Sequence, residues 1–316
     1  MMGENLEKRA EESLQQDLFR RSAFLIIAKI IDLRPKPPSV LVDECLHSIF
    51  FAGMIHKPRY EPKDIVSDAK MLAALENCYS RPFELCFTQL PKRSPFSCVL
   101  DMFVHQVRVE GNREEEEHRV REQLQTFIKE LRKGGAKKMI SAAICVSQKL
   151  DSSSDRYYGV SMSTFDCPHG QIMIAASCLH TWDSYVADAV MTYCPEKEKK
   201  AYFDGTLQLQ ELIRCETFSL GRGEHMDPCR SCGNLFGLTT GSVKVWPYGH
   251  CAEAESISNL LKSQNDLRQR ATPKFKNYTV GNRQSAKDSV SKHLKDLLRN
   301  TVFEAWDFGF YTPTEN

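Results

Sequence analysis

Pro228-Cys229-Arg230-Ser231-Cys232, followed further along by Gly249-His250-Cys251-Ala252-Glu253, is the stretch from which the rest of the chain is read. Two cysteines separated by two residues can hold one metal ion, because a tight turn or a helix start brings both thiolates to one point. A third thiolate, from Cys251, completes a three-ligand set and leaves one tetrahedral position for water. Glu253 adds a carboxylate that can carry protons, so the stretch holds the parts that metal-assisted hydrolysis needs. Local patterning agrees with two helix starts. Asp227 and Pro228 read as N-cap and first helical residue ahead of Cys229. Val243–Trp246 reads as a short strand and Pro247–Gly249 as a turn. Ala254, Ile257, Leu260 and Leu261 then mark the apolar face of a second helix.

The pairing resembles the zinc-dependent nucleobase and nucleoside deaminases of the cytidine deaminase-like superfamily. Their pattern is His or Cys followed by x-Glu on one helix and P-C-x-x-C on another. Here Cys251-Ala252-Glu253 matches the first element and Pro228-Cys229-Arg230-Ser231-Cys232 the second, in reversed chain order. The resemblance implies that Cys229, Cys232 and Cys251 hold Zn2+ and that Glu253 is the catalytic acid/base. It also implies a substrate with a nucleobase of the cytosine or adenine type, in a nucleoside, a nucleotide or nucleic acid. Chain order is no part of the chemical requirement, which is only that two helix N-termini converge.

Other readings of the same residues stay open. A C-x2-C pair is also half of a structural zinc ribbon, although position 254, where a fourth cysteine would stand, is alanine. His225, Cys215 or His169 could close a structural site from a distance, whereas His250 adjoins Cys251 and adjacent residues rarely reach one ion together. The alternative function is therefore a non-catalytic interaction or scaffold protein with structural zinc in a degenerate deaminase-like domain. Cys167-Pro168-His169 lacks partner spacing, and His180, Asp183 and Ser184 lack the elbow that a serine nucleophile needs.

A chain of 316 residues with 41% hydrophobic and 26% charged residues has globular composition. Its formal net charge of +1 argues against a strongly electrostatic nucleic-acid binder. Twelve scattered cysteines and a polar, acidic start without a signal-like apolar core lead us to expect reduced thiols and a cytoplasmic or nuclear location. No apolar run is long enough for a membrane span.

Periodicity divides the chain at Gly134-Gly135. Residues 1–135 read as a helical domain of unknown role: 4–33, Val40–Ile55, a helix opening at Glu61, one around Ser97–Val107, and a charged helix over Arg113–Lys133 whose charges complement the helix dipole. Residues 136–316 read as an α/β layered deaminase-like domain with a mixed sheet. Met139–Gln148 and Tyr157–Thr164 form a hairpin, Gln171–Ala176 a third strand, Asp183–Met191 a helix, and Cys215–Leu220 another strand. A basic helix lies within about 262–300, with Ala286, Val290, Leu294, Leu297 and Leu298 on its apolar face, and an aromatic tail follows. The basic stretch is a candidate RNA or DNA contact, and the helical half a candidate protein-partner surface.

Overall fold

The computed structural model describes residues 18–34, 36–109, 115–150, 155–164 and 166–314. In the first half, helix α1 (residues 18–32) leads to α2 (Ser39–Ile55), which is buried along almost its whole length. Helices α3 (Pro62–Ile65) and α4 (Ala69–Cys78) follow. The expected single helix from Glu61 is divided because Asp68 caps a new start by accepting the Met71 amide at 2.8 Å. Helix α5 (Ser80–Leu85) and α6 (Pro95–Val109) pack on α2. Helix α7 (Glu116–Lys133) has the charge order read from the sequence and buries the stripe Val120, Leu124, Phe127, Ile128 and Leu131. The parts of the first and charged helices expected before residue 18 and at 113–114 lie outside the described residues.

The second half contributes a four-stranded sheet in the order β2-β1-β3-β4, from β1 (Ala143–Lys149), β2 (Tyr157–Val160), β3 (Ile213–Ser219) and β4 (His225–Met226). Every pairing is antiparallel, so the expectation of a mixed sheet is corrected. Two sequence expectations fail together here. Gln171–Ala176 belongs to helix α8 (Cys167–Ala176), which a π-helical turn (Ser177–Thr181) extends. Its apolar residues are buried on all sides, so no helical period shows, while Asp166 caps the start through the His169 amide at 2.9 Å. Val243–Trp246 is not a strand. The Lys244 carbonyl accepts from the Arg230 amide at 2.8 Å and the Trp246 carbonyl from the Ser231 hydroxyl at 2.5 Å, so these acceptors serve a helix start.

Register explains how the layers stack. Directly opposed residues share a face, so Ala143, Cys145, Ser147, Gly159, Cys215 and Thr217 form one face of small side chains. Helix α11 (Ala252–Ser263) lies close against that face, with the Ser256 hydroxyl donating to Ser147 Oγ at 2.7 Å. Ile144, Val146, Tyr158 and Phe218 point the other way, where α7 crosses: Arg121 stacks over the Phe218 ring and Arg214 donates to the Glu117 carboxylate at 2.8 Å. Helices α9 (Ser184–Met191), α10 (Arg230–Phe236), α12 (Asn265–Arg270) and α13 (Val280–Asn300) complete the chain. The apolar face read for α13 is buried and docks on α8 and α9. One continuous buried cluster runs from Phe19 to Phe303, across residue 135. No described helix is long and apolar enough to cross a membrane.

Candidate metal centre

The two sequence elements meet in space. Cys229 is the N-cap residue of α10 and Cys251 that of α11, and their sulfurs stand 3.3 Å apart. With Cys232, in the first turn of α10, they form a group whose ligand atoms all lie within 4.8 Å of one another. The reading of Asp227 as N-cap is corrected: the helix starts at Arg230, two residues beyond Pro228. The Thr240 hydroxyl donates to the Pro228 carbonyl and so ties the following loop back onto this start.

The other start is fixed with equal care. Gly249 has φ +87°, and a side chain there would press on Ile174 and Trp182, so the turn into Cys251 requires glycine. The His250 carbonyl accepts from the Met162 amide at 2.8 Å. Four residues beyond Cys251, the Glu255 carboxylate accepts from the Val160 amide at 2.7 Å and from the Ser97 hydroxyl of α6. Helix α11 is thus held to β2 on one side and to the helical half of the chain on the other.

Electrostatics follow from this crowding. Hydrogen bonds from Cys232 and Cys251 hold the Cys229 thiol well below its ordinary range, while the contact with Cys229, with burial, pushes Cys232 and Cys251 up. Three sulfur ligand atoms gathered this closely form a donor set suited to a thiophilic cation. Glu253, in the first turn of α11, is only 3% exposed. Burial raises its pKa, and the negative charge on Cys229 raises it further.

A cavity of about 680 Å3 opens over this group, lined by Cys229, Cys251 and Glu253 together with Thr217, Trp246 and His250. Cys232 sits behind the lining. Among the described residues no other His, Cys, Asp or Glu joins the three cysteines. His169 lies buried in α8, Cys215 stands 3.4 Å from the Cys145 sulfur, and His225 packs edge-on against Phe218. His250 lines the cavity without entering the sulfur group. The triad residue types are otherwise engaged. Arg268 donates to Asp183 at 2.6 Å and to Ser184 at 2.7 Å, and His180 packs against Phe310.

The sequence reading missed Thr217 and Trp246. Thr217 lies in a strand where its side chain reads as one more β-branched residue, and only the register turns it toward the cavity. Trp246 was read as part of a strand, whereas it is 53% exposed on the cavity wall. Compared with known protein families, curated proteins and solved structures, the chain matches none.

Proposed function

We propose that this chain is a zinc-dependent hydrolase that removes an amino group from a nucleobase. The observation that carries the reading is a buried carboxyl, Glu253, that borders the same cavity as two members of a three-cysteine ligand group. The donor set fits the metal: three soft sulfur ligands suit zinc, and two of them border the cavity, where a structural site would have a fourth protein ligand. Cys229, Cys232 and Cys251 would hold the ion, which when bound supplies Lewis acidity and a water of lowered pKa.

The chain's own residues account for the rest. A carboxyl that burial has shifted upward is suited to take a proton from water and release it again near neutral pH. Glu253 would accept that proton on a carboxylate oxygen and deliver it to the departing amino nitrogen, so that water and amine give carbonyl and ammonia. The flat indole of Trp246 offers a stacking wall for a planar heterocycle. The test is ammonia release from a panel of amino-bearing nucleosides, nucleotides and oligonucleotides. Wild-type protein should release ammonia, and Glu253→Gln should lose roughly a hundredfold or more of the rate while keeping its fold. Equal rates in the two proteins would remove Glu253 from the mechanism.

A further inference from the structure

Residues 242–247 form neither helix nor turn, and the carbonyls of Lys244 and Trp246 both accept from the start of α10, at 2.8 Å and 2.5 Å. That is the pattern of an extended chain, in which alternate side chains point to opposite sides. The cavity wall has the same alternation. Ser242, Lys244 and Trp246 border the cavity, whereas Val243 and Val245 do not line it and are 82% and 60% exposed. Lys244 and Trp246 therefore face the cavity together, about 7 Å apart along the segment.

Charge is spread unevenly over this cavity. Of its three charged lining residues, Glu253 is buried, while Asp227 and Lys244 are exposed on the open side. Among the described residues the Lys244 ammonium has neither an ion pair nor a hydrogen bond, and Asp227 does not pair with it. Arg230, whose amide donates to the Lys244 carbonyl, brings a second exposed cation to the adjoining backbone, also without a side-chain partner among those residues. An unpaired lysine is ordinary on an open surface. Lys244 differs by standing on a cavity wall, one alternation from an exposed indole, opposite a buried carboxyl that the deamination step requires. A cavity of about 680 Å3 also has room for a ligand of several joined groups, well beyond one heterocycle. An indole stacks a base, and an ammonium takes a phosphate as a point charge. We propose that the substrate carries a phosphate on the nucleoside whose base is deaminated, and that Lys244 holds this phosphate while the base lies against Trp246. This rests on the deaminase reading and names its substrate class.

The experiment is equilibrium binding by calorimetry to zinc-loaded Glu253→Gln protein, which holds ligand without consuming it. The ligands are cytidine and adenosine, their 5′-monophosphates, and short single-stranded oligonucleotides carrying the same bases. Lys244→Ala, Lys244→Arg and Lys129→Ala are each added to that protein. Lys129 is exposed on α7, across the sheet from α11, and its removal changes net charge by the same amount. A contact to a charged group on an exposed side chain is worth about tenfold, so one of the monophosphates should bind about tenfold more tightly than its nucleoside. Lys244→Ala should bring that ratio to within about twofold of unity, and Lys244→Arg and Lys129→Ala should keep it. The oligonucleotides separate the two sources of phosphate: tighter binding than the monophosphate assigns it to a strand, weaker binding to a free nucleotide. Equal affinities for nucleoside and monophosphate would overturn the proposal. So would a ratio unchanged by Lys244→Ala, or one lost equally in Lys129→Ala. Ammonia release by wild type without a phosphate preference would leave the deaminase reading standing alone. A Lys244-dependent preference in a zinc-loaded protein that releases no ammonia from any compound would instead overturn the deaminase reading and leave a nucleotide-binding site.

Discussion

Gly159 in β2 is the point where the sheet and α11 come closest, and replacing it with alanine tests how the fold positions the metal group. A Cβ at this position would lie 2.3 Å from the Ser256 nitrogen, 2.5 Å from the Ala252 oxygen and 2.9 Å from Glu255 Cβ. The two nearest obstacles are backbone atoms, which cannot step aside as a flexible side chain can. Restoring ordinary contact requires α11 to move away by about 1 Å. Overpacking of this kind costs about 1–3 kcal/mol, and a clash with backbone belongs at the upper end. For a chain of this length that corresponds to a fall of roughly 5 °C in melting temperature. The shift also acts on function, since Ala252 sits between Cys251 and Glu253. Metal sites tolerate only about 0.2 Å in ligand position, so Gly159→Ala should weaken zinc retention against a competing chelator as well as lower stability. Gly281→Ala serves as the control, because nothing lies within 4 Å of its added Cβ. Within a helix it should be neutral or stabilising by up to about 1 kcal/mol. Melting curves and chelator competition on both variants give the answer. A Gly159→Ala protein that melts with wild type and holds zinc as tightly would refute the argument that this contact sets the position of α11.

Two further outcomes follow from the surroundings of α11. Burial raises the pKa of Glu255 above the ordinary 4.5, with Asp101 pushing it further up and Arg93 drawing it down. A raised folded value means that Glu255 favours folding most below about pH 4.5 and loses that contribution as pH rises through the folded value. Glu255→Gln lacks this loss, so its melting temperature relative to wild type should climb as pH rises from about 4.5 toward neutrality; a difference that stays flat or falls would contradict the assignment. Trp246→Ala should weaken binding of a planar substrate about tenfold, read as KM or by equilibrium binding, with zinc content unchanged. An unchanged KM would exclude Trp246 as a stacking wall.

Much of the fold was legible where one face of an element meets solvent. The stripe Val120-Leu124-Phe127-Ile128-Leu131 identified α7, and Ala286-Val290-Leu294 identified α13, because exposed charges alternate with their buried rows. Legibility failed where burial is complete. In α8 the run Ile172-Met173-Ile174 is apolar on every side, so β-branched composition gave the wrong element. The three cysteines and Glu253 could be singled out because metal chemistry demands particular residue types at short spacing. Thr217 could not, since its place on the cavity wall depends on a cross-strand register that no local pattern encodes. Nor could the link from Ser97 to Glu255, which joins residues far apart in the chain and ties the helical half to the helix that carries Cys251 and Glu253.

The most direct measurement is zinc content per chain in freshly purified, reduced wild-type protein beside Cys251→Ser and Glu253→Gln. If the C-x2-C and C-x-E segments meet around one ion, wild type and Glu253→Gln will carry about one zinc per chain and Cys251→Ser will carry little. Absence of zinc from the wild type, or a full complement in Cys251→Ser, would contradict the account.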